Sequence, residues 1–269
     1  MGEYNTVLYE VGGPEDAVCT ISMNRPEQRN AINREMAEEL LDAFTRVRDE
    51  EKVKVVVLTG AGKSFCAGGD LTVLPGFDHY TILDWLGRTG YAIVRTITEN
   101  EKVVVAKVKG HCIAGGLELA LACDLIYASG KTRFGVTEIT MGILPGWGGT
   151  VRLAKSLPIF RGREILLSGR KDYTANEIYE MGLLTRVFPD GEFDRKVDEM
   201  VAVLCGNPAD SLRMGKAVLN SSFEGIPWDA AMAIERSAIA WLFHSEHVQN
   251  LREIALQAIE AMKKKGDEG

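Results

Sequence analysis

The stretch VVVAKVKGHCIAGGLELALACDLIYAS, residues 103–129, contains the alternation that decides the fold. A valine-rich run ends at Gly110, a turn of small residues follows, and an apolar segment leads to a second strand-like run from Asp124. Runs of β-branched residues that end in glycine are typical of buried parallel strands. Such strands, alternating with helices, predict an α/β domain.

The same unit occurs earlier in the chain. VKVVVLTG (53–60) is another valine-rich run that ends in glycine, and Ala67-Gly68-Gly69 follows it as Ala114-Gly115-Gly116 follows Gly110. VCTISM (18–23) alternates like a further short strand. The pattern therefore predicts a unit that occurs twice in the chain and consists of a strand, a glycine turn and the start of a helix.

Helical segments surround this core. Asn33 is a suitable N-cap for a helix with correctly spaced apolar positions at Met36, Leu40, Leu41, Phe44 and Val47. Residues 71–100 predict an irregular helical lid or wall, and the chain is helical without strands from about residue 208. We expect a core over 1–205 and a helical region over 206–269, which suits a chain of 269 residues.

Composition limits the partners. The formal net charge is -7 and the sequence pI is about 5.3, which argues against a nucleic-acid or membrane-surface binder. The five cysteines include no CxxC pair, which favours reduced thiols. The sequence has no apolar run of membrane-spanning length and no recognisable targeting segment, so we expect a cytoplasmic protein.

The two Ala-Gly-Gly turns are candidate oxygen-binding sites. A helix N-terminus exposes unpaired N–H groups, and glycine lets a ligand approach the backbone closely. If the turns converge, two N–H groups can hold one oxygen atom as an oxyanion hole. The alternative from spacing alone is that these glycines serve close packing.

Two glutamates lie in apolar surroundings near glycine turns. Glu118 falls in GGLELALACD (115–124), and Glu138 precedes the loop PGWGG. Burial raises the pKa of such carboxyl groups toward neutrality, which suits an acid–base pair. The alternative is that both are solvated or paired with Arg133 or Arg152.

Other titratable residues offer weaker sites. His244 and His247 have a spacing that suits a metal, but no third ligand accompanies them. We therefore expect no metal site.

Three motifs, in order and spacing, resemble the crotonase family of enoyl-CoA hydratases and isomerases: KSFCAGGDL (63–71), GHCIAGGLELALACDLIYAS (110–129) and FGVTEITMGILPGWGGTVRL (134–153). NRPEQRNAIN (24–33) and ILLSGRKDYTANEIYEMGLLTRVFP (165–189) extend the resemblance over nearly the whole chain. It implies a spiral of ββα units with a C-terminal helical oligomerisation region, assembled as a trimer or a dimer of trimers.

The resemblance also implies a site. The N–H groups of Gly69 and Gly115 would hold the thioester oxygen, and Glu118 and Glu138 would be the catalytic acid–base pair. Substrate-binding positions would be Ala67, Asp70, Leu71 and Gly146, the last beside the reacting water. No cofactor is expected, because coenzyme A is part of the acyl-CoA substrate.

Hydration of a 2-enoyl-CoA is the activity implied by two retained glutamates, since family isomerases commonly keep only the later one. Isomerisation, or hydration of a cyclic or dienoyl-CoA, is the near alternative. A non-catalytic oligomeric binding protein is the distant one.

Three positions depart from the family pattern or leave its interpretation open. Ala114 replaces the first glycine of a family Gly-Gly-Gly run, and Thr72 replaces a frequent lysine. Arg25, Lys63 or Lys263–Lys265 are then the candidates for the CoA phosphates. Trp147 would either narrow the pocket or pack outward.

Overall fold

The computed structural model describes residues 4–267, except the side chains of Leu74, Ala258 and 260–267, so Lys263–Lys265 lie outside the described side chains. Two compact units divide between Cys205 and Gly206. The strands across the described residues are β1 (Val7–Gly12), β2 (Val18–Met23), β3 (Val55–Gly60), β4 (Val103–Val108), β5 (His111–Ile113), β6 (Leu125–Ser129), β7 (Arg133–Gly135), β8 (Tyr173–Thr174) and β9 (Arg186–Phe188).

The helices are α1 (Arg34–Arg46), α2 (His79–Trp85), α3 (Ala92–Thr98), α4 (Gly115–Ala122), α5 (Gly149–Ser156), α6 (Ile159–Ser168), α7 (Ala175–Met181), α8 (Phe193–Cys205), α9 (Ala209–Phe223), α10 (Trp228–Leu242) and α11 (Glu246–Asp267). Short 3₁₀ turns and one π-helical turn, Leu86–Tyr91, connect some of them.

The larger sheet of the first unit has the order β1-β2-β3-β4-β6-β9. Only β1 runs antiparallel to its neighbour, and Val55 of β3 lies opposite Val103 of β4. The two valine runs occupy the centre of the sheet and are buried on both faces. This burial explains why they read as continuous apolar runs rather than as alternating patterns.

The predicted ββα repeat is confirmed. A strand of the larger sheet passes into a strand of the smaller sheet, β5-β7-β8, and a helix then follows. This gives β4-β5-α4, and β6-β7 leads through a 3₁₀ turn to α5. In the earlier copy a single bridge, Cys66 to Cys112, replaces the small-sheet strand.

The helix predicted after Asn33 is also confirmed. The Asn33 side chain accepts a hydrogen bond from the Met36 N–H at 2.9 Å, which caps α1. Met36, Leu40 and Phe44 are fully buried on the side facing the core. The cap and the apolar face therefore fix the start and the orientation of α1 together.

The wall over residues 71–100 consists of a 3₁₀ turn, Leu71–Gly76, followed by α2, the π-helical turn and α3. The prediction that each Ala-Gly-Gly turn starts a helix is wrong for the first turn. There the Asp70 N–H donates to the Ile32 carbonyl at 2.9 Å, and Gly69 bridges Ile32 in a parallel arrangement. This pairing holds the chain extended where a helix would otherwise begin.

The second unit contains α9, α10 and α11. Pro208 and Pro227 immediately precede α9 and α10, and Gly225 adopts a left-handed φ of 93° between them. Apolar side chains on these helices are partly or largely exposed. No helix within residues 4–267 combines the length and apolar composition that a membrane crossing requires. All five cysteines lie in the first unit, and none of them forms a disulfide.

Candidate active site

The fold brings the two Ala-Gly-Gly turns side by side. The Cys66 N–H donates to the His111 carbonyl at 2.9 Å, and the Ile113 N–H donates to the Cys66 carbonyl at 3.0 Å. A Cβ added to Gly115 would lie 3.7 Å from the Gly69 nitrogen. The convergence that the sequence left open is therefore present in the backbone.

Both turns expose N–H groups at this junction. Gly115 is the first residue of α4, so its N–H has no acceptor within the helix. A Cβ added to Gly69 would meet nothing within 4 Å, which shows that this residue faces open space. The two amides are thus suitably placed to serve one ligand oxygen.

The alanine that replaces a glycine in the second turn is accommodated with strain. Ala114 adopts φ 51° and ψ -125°, a conformation that L-residues rarely populate. Its N–H donates to the Gly135 carbonyl at 2.9 Å, which ties the turn to β7. Such strain persists where the surrounding structure fixes the backbone, and it is common at functional sites.

A cavity of about 870 Å³ opens in front of the two turns. Every site residue expected from the sequence contacts it, namely Ala67, Gly69, Asp70, Leu71, Gly115, Glu118, Glu138 and Gly146. Much of the remaining wall is apolar and includes Phe77, Ile82, Trp85, Leu86, Ile143 and Leu144. An apolar cavity with a few converging polar groups is the usual form of a small-molecule site.

Glu118 is held at the inner end of this cavity. Its side chain lies in the first turn of α4 and is only 4% exposed. Its Oε1 atom accepts hydrogen bonds from the Trp147 N–H at 2.7 Å and the Gly149 N–H at 2.8 Å. Burial, with a contribution from the charge of Glu138, raises the pKa of Glu118 to about 7.

Glu138 begins the 3₁₀ turn Glu138–Met141 and is 6% exposed. Its Oε2 atom is buried and has no hydrogen-bond partner among the described residues. Burial raises the pKa of this carboxyl above its ordinary value. Two buried carboxyl groups with raised pKa values that contact one cavity have the properties that acid–base chemistry requires.

The alternative pairing with arginine is not observed. Within the described residues neither glutamate forms a salt bridge with Arg133 or Arg152: Oε1 of Glu118 accepts from backbone N–H groups, and Arg152 donates to neutral oxygens. Burial of the two carboxyl groups also excludes the solvated alternative.

Asp70 is held by two side chains, those of Arg25 and Thr72, at the mouth of the cavity. Arg25 donates to it at 2.9 Å, and the Thr72 hydroxyl donates at 2.7 Å. The Thr72 hydroxyl and then Arg25 hold the pKa of Asp70 below its ordinary value. Arg25 is therefore already paired, whereas Lys63 is exposed.

Sequence reasoning missed the groups that hold Glu118. Gly149 starts α5, so its free N–H is a helix N-terminal donor directed at the carboxylate. A Cβ at Gly149 would lie 3.0 Å from the Glu118 Cγ and Oε1 atoms, so a larger residue there would crowd the carboxylate. The Gly-Gly pair that precedes TVRL was the available sequence signal. The sequence does not indicate that its contact is Glu118, which lies 31 residues before Gly149.

The π-helical turn Leu86–Tyr91 packs against the loop 145–149. The Trp147 indole occupies the space where Gly90 would have a side chain, since an added Cβ would lie 1.9 Å from its Nε1 atom. Gly146 likewise faces Leu86, whose Cδ2 atom would be 2.5 Å from an added Cβ. Trp147 therefore packs against the π-helical turn and also contacts the cavity.

Comparison with known proteins decides the family. The sequence profile of the enoyl-CoA hydratase/isomerase family matches residues 13–265. The chain belongs to the enoyl-CoA hydratase/isomerase family. This match confirms the resemblance drawn from the motifs, and the chain is an enzyme of that family.

Relatives of this family member cover nearly its full length. It is 30% identical over 244 residues to a crotonyl-CoA hydratase of Syntrophomonas wolfei, covering 90% of this chain and 92% of that protein. It is 30% identical to a short-chain-enoyl-CoA hydratase of Clostridium acetobutylicum, covering 91% and 92%. The structure of an enoyl-CoA hydratase from Bacillus anthracis matches with a TM-score of 0.85 and 29% identity, covering 97% of each chain.

The buried Glu118 predicts a measurable pH dependence of stability in this enoyl-CoA hydratase/isomerase family member. Its pKa is about 7 when folded and near 4.5 in the unfolded chain, so the folded state binds the proton more tightly. The free energy of unfolding therefore falls as pH rises from about 4.5 to about 7. Glu118→Gln cannot ionise, so its advantage over the wild type should grow to the order of 3 kcal/mol at pH 8.

Urea unfolding of both proteins at pH 5 and pH 8 measures this advantage. The glutamine variant keeps an oxygen that accepts from Trp147 and Gly149, so lost anchoring is not a confounding cost. A stability difference that is equal at the two pH values would contradict the prediction.

Proposed function

We propose that this protein adds water reversibly across the double bond of a 2-enoyl-CoA thioester. The observation that carries the proposal is that Glu118 and Glu138 contact one cavity beside the paired turns of Gly69 and Gly115. Relatives at about 30% identity that are named enoyl-CoA hydratases support it.

The reaction begins with the thioester. Its carbonyl oxygen accepts hydrogen bonds from the N–H groups of Gly69 and Gly115, which draws electron density away from the double bond. These donors are fixed before the substrate arrives, so they stabilise the developing negative charge without reorganisation. In related oxyanion holes, loss of one donor costs about 10² to 10³ in rate.

The two glutamates then move the protons. Glu118 takes a proton from a water molecule as its oxygen attacks C3, and the electron pair of the double bond moves toward the thioester oxygen. Glu138 delivers a proton to C2 as the enolate collapses. The product is a 3-hydroxyacyl-CoA, and proton return from Glu118 to Glu138 through solvent restores the starting state.

The acidities suit these roles. Glu118 has a pKa of about 7 and is therefore partly ionised near neutral pH. Burial raises the pKa of Glu138 as well. The charge of Glu138 is among the causes that raise the pKa of Glu118, so an ionised Glu138 disfavours ionisation of Glu118. One carboxylate and one carboxylic acid are what hydration needs.

We also propose roles for the remaining cavity positions. The backbone at Ala67, Asp70 and Leu71 lines the path of the CoA chain, and the Arg25–Asp70 salt bridge stiffens the mouth. Gly146 lies beside the reacting water. Coenzyme A enters as part of the substrate, and no separate cofactor takes part.

We further propose that the protein works as a homo-oligomer, either a trimer or a dimer of trimers. Within the second unit the described apolar side chains include no buried one, and Leu219, Phe223, Trp228 and Trp241 are substantially exposed. Exposed apolar surface of this extent is typical of an interaction face. Light scattering that gives the mass of one chain would contradict this proposal.

The function is tested by the absorbance of the conjugated thioester with crotonyl-CoA, longer 2-enoyl-CoAs and a cyclic dienoyl-CoA. Loss of absorbance together with a product heavier by one water supports hydration and identifies the acyl preference. A product of unchanged mass with a moved double bond would favour isomerisation. No reaction with any of these thioesters would overturn the proposed function.

A further inference from the structure

Arg152 lies behind the loop that holds Glu118, on the first turns of α5. Its guanidinium is half-buried and donates through Nη2 to the Thr98 hydroxyl at 2.7 Å, at the end of α3. Through Nη1 it donates to the Leu121 carbonyl at 3.3 Å, near the end of α4. One side chain therefore joins three helices around the inner end of the cavity.

The same side chain supports the loop itself. A Cβ added to Gly148 would lie 3.7 Å from the Arg152 Nε atom, and the Arg152 N–H donates to the Gly148 carbonyl at 2.9 Å. Gly148 separates Trp147 from Gly149, whose N–H groups both bind Glu118. Arg152 thus backs the short segment that fixes the carboxylate.

Its charge has no salt-bridge partner in the described part of the chain, because the hydrogen-bond acceptors of the guanidinium are neutral oxygens. The titratable groups that face it are Glu118 on α4, Cys123 after α4 and Tyr91 before α3. Glu118 in turn faces Glu138 and Arg152. In a low-dielectric interior such a cation favours a nearby anion even without direct contact.

We propose that Arg152 is a positioning residue for hydration: its guanidinium fixes the loop behind Glu118, and its positive charge favours the ionised form of Glu118 that accepts a proton from water. The proposal rests on the hydratase function given above. Opposing effects set the ionisation of Glu118. Burial and the charge of Glu138 disfavour its ionised form, whereas the Trp147 and Gly149 N–H groups and the charge of Arg152 favour it.

The test compares the pH dependence of kcat/KM in the wild type, Arg152→Gln, Arg152→Met and Arg152→Lys. In the two neutral variants the acidic limb of the kcat/KM profile should move to higher pH by about one unit. At pH values below the limb, kcat/KM should therefore be about tenfold lower than in the wild type, and at high pH it should return to the wild-type value. Arg152→Lys keeps the charge and should keep the limb near the wild-type position. A loss of the same size at every pH in the neutral variants would overturn the proposal.

Thr98→Val is the matched control, since it removes a hydrogen-bond partner of Arg152 and leaves the charge. It should lower the thermal midpoint and leave the acidic limb in place. A limb that moves as far in Thr98→Val as in Arg152→Gln would show that packing alone is responsible, and would also overturn the proposal.

A readout without turnover separates this inference from the proposed function. The carboxyl ¹³C shift of Glu118 in labelled protein, assigned with Glu118→Gln, follows its ionisation directly. A midpoint raised by about one pH unit in Arg152→Gln supports the role of Arg152, even if no thioester is hydrated. An unchanged midpoint overturns it, even if the wild type is an active hydratase.

Discussion

Glu118→Gln is expected to lower kcat/KM for hydration by about 10³-fold, which is typical for removal of a positioned general base. Glutamine has nearly the same shape, and its side-chain oxygen still accepts from the Trp147 and Gly149 N–H groups. The loop therefore keeps its place while the group that removes the proton is lost. The loss should fall on kcat more than on KM, because the carboxylate acts in the transition state.

Glu138→Gln should cause a loss of similar size, because an amide cannot deliver the proton to C2. The double variant should be little worse than either single variant, since groups that act as a unit do not contribute additively. Glu38→Gln, the same chemical change on the exposed side of α1, serves as the control and should retain full activity. Full activity in both site variants would contradict the proposed mechanism.

Gly116→Ala is expected to destabilise the first unit by about 3 kcal/mol and to abolish most activity. An added Cβ would lie 2.6 Å from the Cys66 carbonyl oxygen and 2.8 Å from the Cys66 Cβ atom. Alanine in a helix gains at most about 1 kcal/mol over glycine, so the clash dominates. Relief requires the two Ala-Gly-Gly turns to separate, which misplaces the donors on Gly69 and Gly115.

Urea unfolding and the hydration assay on the same preparation measure both effects. Gly76→Ala is the matched control, because an added Cβ there would meet nothing within 4 Å. It should change neither stability nor activity by a large factor. If Gly116→Ala were as stable and active as Gly76→Ala, the close approach of the turns would not be required.

The sequence alone determined the centre of the fold. The runs at Val55–Gly60 and Val103–Val108 are continuous and apolar because both faces of these strands are covered, and this pattern is visible without coordinates. The cap at Asn33 and the prolines before α9 and α10 are local signals of the same kind. Each depends on neighbours within a few positions along the chain.

The shortest strands gave no such signal. β5, β7 and β8 contain three, three and two residues, which is too short for a period of two to be recognised. β8 joins β7 across a long separation, because Thr174 pairs with Arg133. Their existence depends on partners that approach only when the spiral closes.

The site divides in the same way. The order of the motifs, through their resemblance to the family, predicted that Glu118, Glu138 and the two glycine turns belong together. Only the tertiary structure decided how they are held. The Cys66–Cys112 bridge joins the turns, and backbone donors from Trp147 and Gly149 fix Glu118. These contacts connect residues 29 to 46 positions apart, and because their geometry comes from the packing of whole elements, no local pattern encodes it.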